Sequence, residues 1–426
     1  MTLVTAAQTR STEYLNCQER HKSDLGRTLM GMENESAATV HLKPERDRSM
    51  KRLHPWILSG AIARVEGDPQ PGDTVRVIAA GGAELATASY SPFSALRARV
   101  WSFDPSVEIN AGFISGLINA SVALRAAHSE FAHTCRLIFG DADGLPGLVV
   151  DRYGEVVVMQ ITTVGIERWR DAVVSTLMTI DGVTCVYERS DGADRERDGL
   201  TNRIGLAAGT LPSTIYAIEG NEKYNVNVEE GHKTGFYIDQ RDSRALAGRL
   251  SRGARVLNVF GYTGSFSVVA QRNGAASVTT VESSGPALEI ARQNGELNGV
   301  DIGELIEGDA FEVLRRMRDR RAEFDLIILD PPKYATGTAH LERATRKYKD
   351  INLLGAKLLA KGGHLMTFSC SGAMTADLFQ KVVAGAALDA KRKMRIVQRL
   401  GQPIDHPIPL TFPDGEYLKG LLLQAD

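Results

Sequence analysis

From about residue 226 onward, apolar residues gather into short runs at 255–260, 277–282, 303–307, 324–329 and 363–369. Each run is followed by a longer stretch whose apolar residues recur at helical spacing. Short buried runs alternating with amphipathic helices predict an α/β domain built on a doubly wound, mostly parallel, Rossmann-like sheet. The pattern before it differs. Between about 41 and 104, short alternating runs are punctuated by turn residues: Pro71-Gly72-Asp73 precedes Thr74–Ile78, and Gly81-Gly82 precedes a second run toward Tyr90. That pattern predicts a hairpin in a small all-β module. Between 105 and 225 the signals mix. Helical spacing runs from Ile109 to Ala127 and again around Glu167–Thr179, a Tyr-Gly turn splits the apolar run Leu148–Val158 into a hairpin, and a strand is expected around Val183–Tyr187. The expected organisation is a mobile tail over 1–40, a β module over 41–104, a mixed α+β middle domain over 105–225 and the α/β domain over 226–426.

Composition narrows the class. With 426 residues, 43% hydrophobic, 24% charged and a net charge of −2, the chain has room for two or three domains and no global pull toward polyanions. The four cysteines, Cys17, Cys135, Cys185 and Cys370, include no C-x-x-C pair, which argues against a zinc site or a disulfide framework and for a reduced, cytoplasmic chain. No apolar stretch is long enough to span a bilayer, and the N-terminus lacks a signal-peptide core. Met30, Met32 and Met50 leave a later translation start open. Asp141 and Asp143 lie in a turn without EF-hand spacing, so no metal is expected. Local charge is more suggestive. Lys43, Arg46, Arg48, Lys51 and Arg52 precede the β module, and the alternation Leu96–Trp101 puts Arg97 and Arg99 on one strand face. This is either a solvated entry loop or a face for an RNA backbone.

Three apolar runs end in unusual polar clusters, and ligands of open α/β sheets bind where strands end. Asn258-Val259-Phe260-Gly261-Tyr262-Thr263-Gly264 closes the first run and opens a helix, where small residues let a ligand approach unpaired N–H groups. It is neither a dinucleotide fingerprint nor a P-loop. Glu282 ends the second run about 20 residues on, where an acid accepts ribose hydroxyls; Asp309 ends the third and is placed to meet an adenine edge. Each acid alone would also serve as a helix cap. Leu329-Asp330-Pro331-Pro332-Lys333 ends the fourth run, and Phe368-Ser369-Cys370-Ser371-Gly372 the fifth.

The order of Gly turn, Glu282, Asp309 and Asp330-Pro331-Pro332 resembles the class I S-adenosylmethionine-dependent methyltransferases. A fuller match, Glu229 to Arg241, Asn258 to Gly264, Leu329 to Lys333 and Ser369-Cys370-Ser371, is similar to the bacterial 23S ribosomal RNA cytosine-5 methyltransferases of the rRNA large subunit methyltransferase I type. His54 to Ile62 and Tyr90 to Trp101 are similar to the PUA segment of that family. The resemblance spans residues 41–426. It implies S-adenosyl-L-methionine as cofactor, held by Asp239, Gln240, Arg241, Asn258, Phe260, Gly261, Tyr262, Thr263, Gly264, Glu282, Asp309 and Asp330, and 23S rRNA as partner, naked or partly assembled. Lys233 and Tyr237 are equally well read as structural.

The resemblance makes Cys370 a nucleophile and Asp330 its partner at the base. C5 of cytosine attacks a sulfonium methyl only after a soft nucleophile has added to C6. A thiol must be activated for that, and a helix expected from about Thr375 would lower its pKa. Asp330 would hold N3 and the exocyclic amine, on a loop stiffened by two prolines. The base that removes the C5 proton is open among His406, Glu416 and Asp330. Trp56, Trp101, Tyr262 and Tyr334 are candidates for stacking on an extruded base. Lys333, Arg343, Arg346, Lys347 and Lys349 would track phosphates or form a solvated helix face. Two other functions fit parts of the pattern: an RNA N-methyltransferase with a structural Cys370, and a non-catalytic RNA-binding ribosome assembly factor.

Overall fold

A computed structural model describes residues 38–335 and 337–426. The tail read from the sequence lies outside them up to residue 37. Strands β1 (Thr39–Leu42), β2 (Trp56–Leu58), β3 (Ile62–Glu66), β4 (Thr74–Ile78), β5 (Glu84–Tyr90) and β6 (Leu96–Ser102) form one sheet in the order β2-β6-β5-β4-β1-β3. Its inner face is small and branched (Val40, Val75, Val77, Ala86, Ala88, Ala98), so the sheet curls on itself. The hairpin read around Gly81-Gly82 is β4–β5. The expected basic face is not free: the Arg99 guanidinium lies 3.5 Å from Asp198 in the next domain, and Arg97 donates to the Pro92 carbonyl.

The second sheet, β7 (Thr134–Phe139), β8 (Leu148–Tyr153), β9 (Val156–Ile161), β10 (Cys185–Ser190) and β11 (Arg203–Gly209), runs in the order β11-β10-β9-β8-β7. Helix α1 (Ala111–Ala126) packs Ile114 and Ile118 into its apolar core, and the Tyr-Gly turn joins β8 to β9. A two-stranded ribbon, β12 (Tyr216–Glu219) with β13 (Glu222–Asn225), leads to the third sheet.

That sheet contains β14 (Arg255–Val259), β15 (Ser277–Glu282), β16 (Glu304–Glu307), β17 (Phe324–Leu329), β18 (Leu359–Ser369), β19 (Met394–Leu400) and β20 (Lys419–Ala425), in the order β16-β15-β14-β17-β18-β20-β19. β14 to β18 are parallel, and β20 inserts antiparallel between β18 and β19. The strand order reverses beside β14, which opens a crevice at the carboxyl ends of β14 and β17. Helices α2 (Arg241–Leu250), α3 (Ser265–Arg272), α4 (Gly285–Leu297), α5 (Ala310–Asp319), α6 (Leu341–Leu358) and α7 (Ala376–Asp389) occur in the same region as the strands. The apolar runs of the sequence coincide with β14 to β18. β18 starts four residues earlier than read, and β19 and β20 were not read at all. β19 is an edge strand exposed along most of its length, so no apolar run marks it.

Candidate functional site

At the end of β14 the backbone turns sharply. Phe260 (φ 61°) and Tyr262 (φ 45°) both occupy the left-handed region, which costs a residue with a side chain roughly 1 kcal/mol or more. Neighbours hold them there: the Tyr262 N–H donates to Glu282 Oε2 at 2.9 Å, the Tyr262 hydroxyl accepts the His232 N–H at 2.9 Å, and the two rings stack with centroids 4.8 Å apart. Gly261 lies between them because a Cβ would run into Thr280 Cγ2, and Gly264 because its φ is 73° and a Cβ would come within 2.8 Å of Ala291. Glu282 Oε1 also accepts the N–H groups of Ser283 (2.7 Å) and Ser284 (3.0 Å). The carboxylate is thereby fixed, and its remaining lone pairs are available at the pocket.

β17 and β18 are parallel neighbours, Leu329 opposite Thr367, so the Asp330 loop and Cys370 emerge side by side. Asp330 Oδ2 accepts a hydrogen bond from Gln240 Nε2 at 2.9 Å. Burial, reinforced by the anionic Asp239, pushes the Asp330 carboxyl up to about 7. Burial, reinforced by Asp330, pushes the Cys370 thiol up to about 11. This corrects the expected activation. The helix after Cys370 starts at Ala376, capped by Thr375 with its own hydroxyl, too far along the chain to stabilise a thiolate. The loop is clamped from below: Ser371 Oγ accepts the Ala335 N–H at 3.2 Å and meets the Tyr348 hydroxyl at 3.1 Å, while Lys419 Nζ donates to the Ser371 carbonyl.

A cavity of about 440 Å³ brings together Lys233, Tyr237, Asp239, Gln240, Phe260, Gly261, Tyr262, Glu282, Asp330, Cys370 and Tyr417. Asp239 Oδ2 receives Lys233 Nζ at 3.0 Å and the Tyr417 hydroxyl at 2.7 Å. Against the opposing cost of burial, the Lys233 ammonium holds Asp239 well below the usual carboxylate range. Asp239 Oδ1 and Gln240 Oε1 are buried without a partner. Two orphaned acceptors and a fixed carboxylate suit a ligand carrying an ammonium group and ribose hydroxyls, as S-adenosylmethionine does.

Other expected cofactor residues lie elsewhere. Arg241 turns its guanidinium away, over the Phe131 ring and onto the Thr134 carbonyl, because acidic groups of the middle domain and of the C-terminal loop draw it there. Asp309 caps α5, accepting the Glu312 N–H at 3.1 Å, and is outside the cavity lining. Asn258 lies beneath the turn, donating to Ser267 Oγ at 2.9 Å, and the Thr263 carbonyl accepts from Asn294 at 2.8 Å. With Gly264, these two shape the turn without lining the cavity. Of the candidate bases, His406 is buried against Asp405 (Nδ1 to Oδ1, 2.8 Å), and Glu416 is exposed; only Asp330 lines the cavity. Burial, with Arg136 nearby, pushes the His406 imidazole below its ordinary value. Trp101 is core, and Trp56 bonds Asp141 and packs on Phe412. The Gln240–Asp330 bond and the roles of Tyr417, Ser371 and Lys419 carried no signal in the sequence. Among the described residues no cluster of three or more His, Cys, Asp or Glu could hold a metal, and no helix is long and apolar enough to cross a membrane.

Known proteins share this chain's sequence pattern and fold. A profile for S-adenosylmethionine-dependent methyltransferases matches residues 205–423, and one for a PUA-like domain matches 40–103. The chain is 47% identical over 395 residues to ribosomal RNA large subunit methyltransferase I of Shewanella frigidimarina, covering 91% of this chain and all of that one. It is 45% identical over 380 residues to the protein of the same name from Shigella boydii, covering 88% and 96%. A solved S-adenosylmethionine-dependent methyltransferase from Streptococcus mutans shares the fold, with a TM-score of 0.78 at 22% identity over 91% of this chain and 99% of that one. A second solved methyltransferase, complexed with S-adenosylhomocysteine, superposes with a TM-score of 0.79 at 22% identity, covering 91% and 99%.

Proposed function

This chain belongs to the ribosomal RNA large subunit methyltransferase I family of S-adenosylmethionine-dependent enzymes, and we propose that it methylates C5 of a cytosine in 23S rRNA, naked or in a partly assembled subunit, through a covalent bond between Cys370 and C6. The observation that carries this reading is the shared cavity wall: a thiol and a carboxyl, both raised by burial and the thiol further by the carboxylate, at the ends of adjacent parallel strands. A cytosine extruded from its stack enters edge-on between them.

Cys370 Sγ adds to C6 and its proton goes to the Asp330 carboxylate. Moving that proton ahead of attack would cost up to about 5 kcal/mol, so S–C bond formation and proton transfer run together. The carboxylic acid then donates to N3, taking up the charge that the C5–C6 electron pair brings into the ring. When bound, S-adenosylmethionine supplies the electrophilic methyl for C5. Asp330, again a carboxylate once N3 holds the proton, removes the proton from C5 as the sole cavity-lining member of the three candidate bases. Re-forming the C5–C6 double bond expels the Cys370 thiolate; the N3 proton returns to that thiolate and the C5 proton passes from Asp330 to solvent, which restores the thiol and the carboxylate and leaves a neutral base. Asp239 and Gln240 offer acceptors to the cofactor's ammonium group, and Glu282 offers its free lone pairs to the ribose.

The test is nucleoside mass spectrometry of large-subunit RNA incubated with enzyme and labelled cofactor. Wild-type protein yields 5-methylcytidine and is trapped covalently by RNA containing 5-fluorocytidine. Cys370→Ala yields neither. The resting thiol is protonated, which favours the alternative of nitrogen methylation around a structural Cys370; an N-methylated product, formed equally by Cys370→Ala, would establish that instead.

A further inference from the structure

Gln240 occupies the 3-10 turn that leads into α2 and is 2% exposed. Its amide is used on one side only. Nε2 donates to Asp330 Oδ2 at 2.9 Å, and that bond fixes which way the amide faces. Oε1 is consequently buried and without a partner, as is Oδ1 of Asp239, and both residues line the cavity. A buried acceptor left empty is costly, so each is a standing demand for a donor. A group with several N–H bonds and a positive charge carries the donors for both.

We propose that Gln240 is a positioning residue that links the two halves of the site, holding the Asp330 carboxyl through its amide N–H while its amide oxygen accepts the ammonium of the cofactor's methionine tail. This rests on the methyltransfer reading above and deepens it: the cofactor's seat and the proton carrier share one side chain. The groups around Asp330 set the background against which the link acts. Asp239 and Tyr237 come from the segment before α2, Lys233 from the preceding loop, Arg244 from α2, Cys370 from the loop after β18, and Lys333 from the same loop as Asp330. The Gln240 donor is one of the contacts that favour the Asp330 carboxylate, against burial and Asp239. Because Asp330 must accept the thiol proton, its carboxylate is the active form, and turnover rises with pH through its titration.

Gln240→Leu removes both contacts; Gln240→Glu keeps an acceptor and removes the donor. We expect the acid limb of the kcat/KM profile to move up by about one pH unit in both variants. We expect calorimetric affinity for S-adenosylhomocysteine to fall about tenfold or more in Gln240→Leu and to be retained in Gln240→Glu. Circular dichroism and the melting curve establish that each variant is folded; were Gln240→Leu unfolded, the isosteric Gln240→Glu alone decides through its limb. A limb that stays in place in folded protein, or unchanged cofactor affinity in Gln240→Leu, overturns the link. Failure of the cytosine-5 reading is seen separately, in the wild-type nucleoside product.

Discussion

Asp330 makes the neighbouring Cys370 harder to ionise. The thiol sits on the cavity wall, where burial disfavours a thiolate, and the neighbouring carboxylate adds to the penalty. The protein thereby keeps a protonated, unreactive thiol until a base arrives, which limits adventitious oxidation and alkylation. The sign is testable in the protein without cofactor or RNA. At pH 8 wild-type Asp330 is mostly ionised and Cys370 almost wholly protonated. Asp330→Asn removes the charge and lowers the thiol pKa, although burial persists. Iodoacetamide labelling of the Cys370 peptide, followed by mass spectrometry, should therefore run about 3–10-fold faster in Asp330→Asn at pH 8. The gap should close below about pH 6, where wild-type Asp330 takes up its own proton. Equal rates at pH 8 would separate the two groups. In the sequence the thiol and the carboxyl were legible as residues at strand ends. The rise in the thiol's pKa was not, because burial and the nearness of Asp330 are properties of the assembled wall, and the expected helix-terminus activation gives way to them.

At the scale of elements, the alternation of apolar runs and amphipathic stretches specified β14 to β18, because parallel strands buried on both faces leave continuous apolar runs. It was silent on β19, an edge strand in which Ile396 and Val397 are exposed along with the polar residues. Spacing treated Glu282 and Asp309 alike, and the structure separates them: Asp309 N-caps α5 directly and lies outside the cavity lining, while Glu282 is followed by Ser284, which caps α4 itself and leaves the acid for the Tyr262 turn at the cavity. The turn's own packing gives the next prediction. Gly261→Ala drives a methyl into Thr280 Cγ2, displacing β15 against β14 or opening the turn that seats Glu282. The expected cost is about 1–3 kcal/mol of stability, with cofactor affinity down about tenfold. Thr280→Ser removes the obstructing methyl and keeps a hydroxyl for Ser267, which it now meets at 2.7 Å. The double variant Gly261→Ala/Thr280→Ser should recover most of both losses in denaturant titration and calorimetry. Without recovery, the steric account of Gly261 fails.

Across the whole molecule, the middle domain and the C-terminal loop are joined by one buried acidic residue that no local pattern singles out. Asp405 Oδ2 accepts the Arg136 N–H at 3.0 Å, Oδ1 meets His406 Nδ1 at 2.8 Å, and Arg241 Nη1 lies 3.8 Å away. Its partners in sequence are up to 280 residues distant, so only the fold could reveal why the Arg241 guanidinium turns away from the cavity or why His406 lies outside the cavity lining. The same loop carries Tyr417 to Asp239 at the cavity, which makes the junction part of the site's frame. Although burial opposes it, the hydrogen bond from His406 holds the Asp405 carboxyl below its ordinary value. A carboxylate depressed in the folded state contributes stability that is present above its unfolded pKa of about 4 and lost as pH falls through the lower folded value. Asp405→Ala strands the Arg136 N–H and removes one of the two carboxylates 3.8 Å from Arg241, and should cost about 3 kcal/mol at pH 7. Asp405→Asn keeps the shape and should cost less. Melting temperatures measured from pH 7 to pH 3 should show the gap between wild type and Asp405→Ala narrowing below about pH 4, as the wild-type carboxylate is protonated. A gap independent of pH would mean that Asp405 stabilises the junction by packing alone, with its charge irrelevant to the seating of Tyr417 at the cavity.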